Sequence, residues 1–126
     1  MDQPMAKNMS DLRVLICEDE YMLAIDMAQQ LKQKGIGVTA VVSRLSEAQA
    51  VVNAAEFDAN AAILDLRLYN DWVYPVVPVL SARGAAVVFC SGYAQSDLPA
   101  DVAHLPFFSK PVMVEHVVEV LRATAK

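Results

Sequence analysis

From residue 11 onward the chain alternates between short apolar runs and longer stretches in which apolar residues recur every three or four positions. The first run, 12–17, is short, β-rich and apolar at nearly every position, as in a strand covered on both faces. Next, 21–34 reads as a helix: Ala24, Ile25, Ala28 and Leu31 share a face, Gln29, Gln30 and Lys34 lie elsewhere, and Gly35 and Gly37 stop it. Further strands are predicted at 38–42, 61–66 and 87–90. Leu45, Ala48, Val52 and Ala55 mark a second helix. A closing helix over 112–124 puts Val114, Val117, Val118 and Leu121 on one face, with Pro111 suited to its first turn. Two segments are weaker. Over 71–82, Val73, Val76, Val77 and Leu80 have helical spacing, but Pro78 would remove a hydrogen bond and crowd the preceding turn, so this helix should start late or kink. Over 96–104, Pro99 and Pro106 leave room for only about two turns around Leu98 to Ala103, or for irregular backbone. The fifth strand must then be short, around Phe107 and Phe108.

Five strands alternating with four or five helices imply an α/β fold, a parallel sheet with helices on both faces, doubly wound if its crossovers are right-handed. With no repeat or linker, 11–126 reads as one domain behind a loose polar tail, 1–10. A composition of 56% hydrophobic and 20% charged residues supplies a core and excludes disorder. No apolar run approaches the roughly 18 residues of a membrane span, and the start lacks the apolar centre of a secretory leader. The net charge of −5 argues against a partner built on a phosphate backbone. The expectation is a cytoplasmic protein that binds neither nucleic acid nor membrane. Cys17 and Cys90 both sit in apolar runs and read as small buried hydrophobes. His104 and His116 have no partners at ligand spacing and read as solvated surface.

Ligands of such sheets sit at the carboxyl ends of the strands. Those ends carry Glu18-Asp19-Glu20, Asp65, Ser91-Gly92 and Ser109-Lys110-Pro111. Any one of these could be the solvated start of a loop. Together they suit phosphoryl transfer to a carboxylate, with Asp65 as the nucleophile. Glu18, Asp19, Asp65 and the backbone carbonyl of Arg67 could hold Mg²⁺, a hard cation that takes oxygen ligands and relieves the repulsion of crowded acids. Lys110 could neutralise phosphoryl oxygens, Ser91 could donate a hydrogen bond to another, and Gly92 leaves room beside it.

The runs Val14-Leu15-Ile16-Cys17-Glu18-Asp19-Glu20, Ile63-Leu64-Asp65-Leu66, Phe89-Cys90-Ser91-Gly92-Tyr93 and Phe108-Ser109-Lys110-Pro111 resemble, in order, the receiver domain of bacterial two-component response regulators. The resemblance covers about residues 11 to 125. It implies a flavodoxin-like sheet of order 2-1-3-4-5 and a histidine kinase or phosphotransfer protein as phosphoryl donor. It also implies Asp65 as phosphoacceptor, Glu18 and Asp19 as the acidic pair, Ser91 as switch hydroxyl, Lys110 as the site lysine and a cis bond before Pro111. With no output module in the sequence, the chain looks like a stand-alone regulator that acts on a downstream protein or as a phosphate sink. It is then no enzyme on other molecules, but a phosphoacceptor that assists its own Mg²⁺-dependent phosphorylation and dephosphorylation. The stretch 89–93 is similar to the FATGUY class, with Cys for Ala, Ser for Thr and Ala94 after Tyr93.

Only 19 positions separate Ser91 from Lys110 (110 − 91), so the fourth helix should be shortened and the partner-reading surface altered. Phe107 stands where the resemblance puts a switch aromatic, although it could equally be core; Phe108 should be the more buried of the two. The resemblance implies that Arg67 and Tyr93, two positions after Asp65 and Ser91, flank the phosphoryl group and should slow its hydrolysis, although Arg67 could merely snorkel over the loop. Tyr69 and Trp72 follow closely and either cover the site or pack beside it. The alternative to a working receiver is a pseudo-receiver, an interaction module that works without phosphorylation; the filled chemical positions speak against it. A hydrolase of the aspartyl-phosphate type would want an acid where Arg67 stands. A flavin site would want a phosphate loop after the first strand.

Overall fold

Five parallel strands form the centre of the molecule in the computed structural model, which describes residues 11–124. The tail expected at 1–10 lies outside the described residues. In chain order the elements are β1 (Arg13–Cys17), α1 (Tyr21–Gln33), β2 (Gly37–Val42), α2 (Leu45–Asn53), β3 (Ala61–Leu64), β4 (Arg67–Leu68), β5 (Asp71–Trp72), α3 (Val77–Ala82), β6 (Ala86–Ser91), β7 (Phe107–Ser109) and α4 (Val114–Thr124). The main sheet runs β2-β1-β3-β6-β7, while β4 and β5 pair only with each other. Leaving that small hairpin out of the count, this is the expected 2-1-3-4-5 order.

Each central strand alternates its side chains between two apolar layers, the period-2 consequence of the pleat. Leu15, Leu64, Val87 and Phe89 face the layer filled by Ala48 and Val52 of α2 and Leu80 of α3. Val14, Ile16, Ile63 and Val88 face the other, filled by Ala28 and Leu31 of α1 and by Val114, Val117, Val118 and Leu121 of α4. A strand with two buried faces has no polar alternation to display, which is why these runs read as continuously apolar. Phe107 packs on the first layer and Phe108 on the second, as neighbours on one strand must. Both are only half-buried, because β7 is a three-residue edge strand; the expected deeper burial of Phe108 is not found.

Two helices end in the same way. Gly35 (φ +78°) follows α1 and Gly84 (φ +80°) follows α3. Behind them Ile36 N–H returns to Leu31 C=O and Ala85 N–H to Leu80 C=O, each at 3.0 Å. This double turn needs a left-handed residue, and each pair also shares an apolar layer. A Cβ at either glycine would meet nothing within 4 Å, so the cost of alanine there is purely backbone strain. Gly35→Ala and Gly84→Ala should each cost about 1 kcal/mol. Urea unfolding should show lowered midpoints with unchanged slopes.

The weak helix over 71–82 starts late, as expected, at Val77, after the β4–β5 hairpin and a 3₁₀ turn, Tyr74–Val76. Pro78 then falls in the first helical turn, where its missing N–H costs nothing. Other expectations need correction. The segment 92–106 holds no α-helix, not even a shortened one. It has a 3₁₀ turn, Gln95–Asp97, and then i to i+3 bonds from Val102 to Pro99, Ala103 to Ala100 and Leu105 to Val102. Val102 alone is buried there, with Leu98 and Leu105 packed beside the first layer. The closing helix begins at Val114, so Pro111 lies before it rather than in its first turn. Ala55 lies beyond α2 and is exposed.

Candidate functional site

The sheet itself carries the site. Past β1, Glu18 N–H bonds to Val42 C=O at 3.0 Å; past β3, Asp65 N–H bonds to Cys17 C=O at 2.9 Å; past β7, Lys110 N–H bonds to Ser91 C=O at 3.0 Å. These bonds extend the strand pairing by one residue on each side. They bring the strand-end residues expected from the sequence to one rim, where Asp19, Glu20, Asp65, Ser91 and Lys110 line a cleft of about 320 Å³ together with Arg67, Tyr69, Gly92 and Tyr93, while Glu18 lines the cavities on either side.

Lys110 is the hub. Its Nζ lies 2.8 Å from Asp65 Oδ2, 2.7 Å from Glu18 Oε1 and 3.5 Å from Glu20 Oε1. Burial works against the ammonium, but the hydrogen bonds to Asp65 and Glu18 outweigh it and hold the Lys110 pKa above its ordinary value. Burial likewise pushes the Glu18 carboxyl up, to about 6, against the opposing pull of Lys110 and of the Glu20 N–H that it accepts at 3.0 Å. The Lys110–Pro111 peptide bond is cis.

Asp19 points toward the hairpin after β3. Its Oδ2 accepts the Tyr69 N–H at 2.8 Å. Tyr69 sits at the tip of the hairpin with φ 56°, a left-handed conformation unusual for a ring-bearing residue, and the Arg44 guanidinium lies 4.4 Å from its ring centre. Arg67 and Trp72 are register partners across the hairpin, and the Arg67 guanidinium lies 5.0 Å from the Trp72 ring centre. Ser91 is fully buried, and its Oγ accepts the Tyr93 N–H at 3.2 Å. Phe107 does not line this cleft; it packs one layer below, on the sheet.

Glu18, Asp19 and Asp65 offer carboxylate oxygens within 4.8 Å of one another. Three like charges at that spacing call for a cation, and an all-oxygen donor set fits a hard divalent ion. Glu20, given no role in the sequence reading, joins the ion pairs of Lys110; its signal was the third consecutive acid after β1. Cys90 borders the neighbouring cavity, and burial pushes both thiols, Cys17 and Cys90, up to about 12. Neither is a nucleophile at neutral pH.

No family model matches the chain. Among curated relatives, the transcriptional regulatory protein PdtaR of Mycobacterium tuberculosis is 26% identical over 111 residues, covering 84% of this chain and 53% of that protein. The chain thus spans about half the length of the curated relatives it matches. Solved structures share the fold more fully. SdrG from Sphingomonas melonis Fr1 is 27% identical with a TM-score of 0.77, covering 91% of this chain and 97% of its own. A CheY-like receiver domain from Methanospirillum hungatei JF-1 is 21% identical with a TM-score of 0.75, covering 90% and 93%. A Burkholderia pseudomallei response regulator, solved with a phosphorylated aspartic acid and a calcium ion, is 21% identical with a TM-score of 0.73, covering 91% and 69%. Among the described residues no helix is long and apolar enough to cross a membrane. Known CheY-like receiver domains share this fold over nine tenths of the chain, and a transcriptional regulatory protein is 26% identical over 84% of it; the chain has the receiver fold.

Proposed function

We propose that the chain accepts a phosphoryl group on Asp65 from a phosphohistidine of a sensor kinase or phosphotransfer protein, in the cytoplasm. It then signals by contact with a downstream protein or drains phosphoryl groups from its kinase. The observation that carries this reading is the buried Asp65 carboxylate, hydrogen-bonded to the Lys110 ammonium at 2.8 Å and open to the strand-end cleft.

In the transfer, a carboxylate oxygen of Asp65 bonds to phosphorus and the donor's phosphorus–nitrogen bond breaks. The imidazole nitrogen keeps the electron pair and takes a proton. Lys110 moves its hydrogen bonds from the two carboxylates toward the arriving phosphoryl oxygens, matching the charge that develops there. Ser91 Oγ accepts from Tyr93 N–H and so keeps its own proton to donate to a second phosphoryl oxygen. Glu18, Asp19, Asp65 and the carbonyl of Arg67 would hold Mg²⁺, which when bound supplies positive charge opposite Lys110. The chain transforms no other molecule; it makes and loses its own acyl phosphate.

Intact mass after incubation with Mg²⁺ and acetyl phosphate tests the reading. The expected result is a gain of one phosphoryl group, absent with EDTA and in Asp65→Asn. No gain, together with failure to bind beryllofluoride, would overturn it in favour of an interaction module that works without phosphorylation.

A further inference from the structure

Four aromatic rings run from the core to the mouth of the Asp65 cleft. Phe89 of β6 is fully buried. Tyr74 meets it edge-on, with ring centres 6.5 Å apart and planes at 84°. Trp72 stacks on Tyr74 at 5.8 Å and 10°. Tyr93 lies tilted against Trp72 at 5.4 Å and 60°. The Arg67 guanidinium completes the set, 5.0 Å from the Trp72 ring centre.

Arg67 and Tyr93 come to the cleft on different loops, one after Asp65 and one after Ser91, and both line it. Trp72 touches both from outside the cleft wall. A long cationic side chain and a ring that is 40% exposed have rotamer freedom to lose. Contact with a third ring, itself braced through Tyr74 on a buried Phe, removes that freedom at both sides of the mouth.

We propose that Trp72 is a positioning residue that sets the lifetime of the acyl phosphate, by holding Arg67 and Tyr93 across the approach of water to Asp65. This rests on the phosphoacceptor reading. In the step it slows, a water oxygen bonds to phosphorus and the bond from phosphorus to the Asp65 oxygen breaks. The carboxylate is regenerated, and inorganic phosphate leaves with the water's oxygen and one of its protons, the other passing to solvent. Trp72 touches neither the phosphoryl group nor the water. It acts through its two neighbours.

The test loads the full chain with acetyl phosphate and Mg²⁺, removes the donor and follows the phosphorylated mass with time. Trp72→Ala should shorten the lifetime roughly fivefold. Trp72→Phe, which keeps a ring, should recover most of it, and Trp72→Leu, which keeps bulk without a π face, should not. Adding Trp72→Ala to Arg67→Ala/Tyr93→Ala should change little further, since the pair it positions is gone. Melting curves of the three Trp72 variants and of the double and triple variants establish that each is folded. A lifetime in both Trp72→Ala and Trp72→Leu equal to that of the parent would overturn the proposal, as would full additivity with the double variant. A parent chain that takes no phosphoryl group overturns the phosphoacceptor reading, and the proposal with it.

Discussion

Lys110→Ala is expected to destabilise the cation-free chain by roughly 3 kcal/mol, on the order of 10 °C in melting temperature. Addition of Mg²⁺ should return much of that loss. The Lys110 side chain is 18% exposed, and its ammonium pairs with the Glu18 and Asp65 side chains, each 10% exposed. Without it, Glu18 and Asp65 face each other, poorly hydrated and with no counter-charge. Breaking a buried pair from one side is costly because the remaining charge keeps its desolvation penalty. The figure belongs at the lower end of the usual range, since a carboxylate left alone can take up a proton. A divalent cation bound by the acids neutralises the same repulsion, so it should protect the variant more than the parent. The initial rate of phosphoryl gain should fall roughly a hundredfold, the usual cost of deleting one preorganised positive donor. Melting curves in EDTA and in Mg²⁺, beside a time course of intact mass, check both parts. Equal melting of parent and variant in EDTA would mean that the ion pairs contribute nothing net to stability.

Phe89→Ala should cost about 4 kcal/mol, the cost of emptying a buried aromatic site. Phe89 is fully buried among Leu64, Val87 and the residues of α3, and its ring supports Tyr74. Phe89→Leu, which refills most of the volume, should cost under half as much. Loss of the ring also removes the lowest step of the aromatic series, so Trp72 should become more exposed. The chain has one tryptophan, so its emission can be assigned without ambiguity, and a red shift is expected. Urea unfolding followed by that emission measures both effects; an unshifted spectrum would show that Trp72 is held from elsewhere.

The buried strands were legible because a strand with two covered faces writes itself as an uninterrupted apolar run. The set Glu18, Asp19, Asp65, Ser91 and Lys110 was legible because parallel topology sends every strand end to the same rim, so order along the chain becomes proximity in space. The β4–β5 hairpin was not legible. Two-residue strands leave no periodicity, and its turn places a tyrosine, Tyr69, where Asn or Gly would have announced the left-handed backbone. The turn-forming Asn70 and Asp71 were the available signal. The segment after Ser91 was legible only as a shortage of room. Pro99 and Pro106 exclude a long helix, but they do not say that consecutive three-residue turns replace it. Pro78 predicted a late start to α3 but not the 3₁₀ turn before it. The deeper burial expected for Phe108 failed because an edge strand of three residues has sheet on one side only.

The bond from Lys110 N–H to Ser91 C=O, 3.0 Å long, closes a loop in the chain whose two ends are both chemical. The lysine is therefore set by the sheet and not by the path taken to reach it. Residues 92–106 can change length, sequence or shape while the ammonium stays beside Asp65, provided that the two anchor points keep their pairing. In such an arrangement the outer surface of this segment and the charges beneath it are free to diverge at different rates. A graft that replaces the segment would be expected to leave the Lys110–Asp65 pair in place.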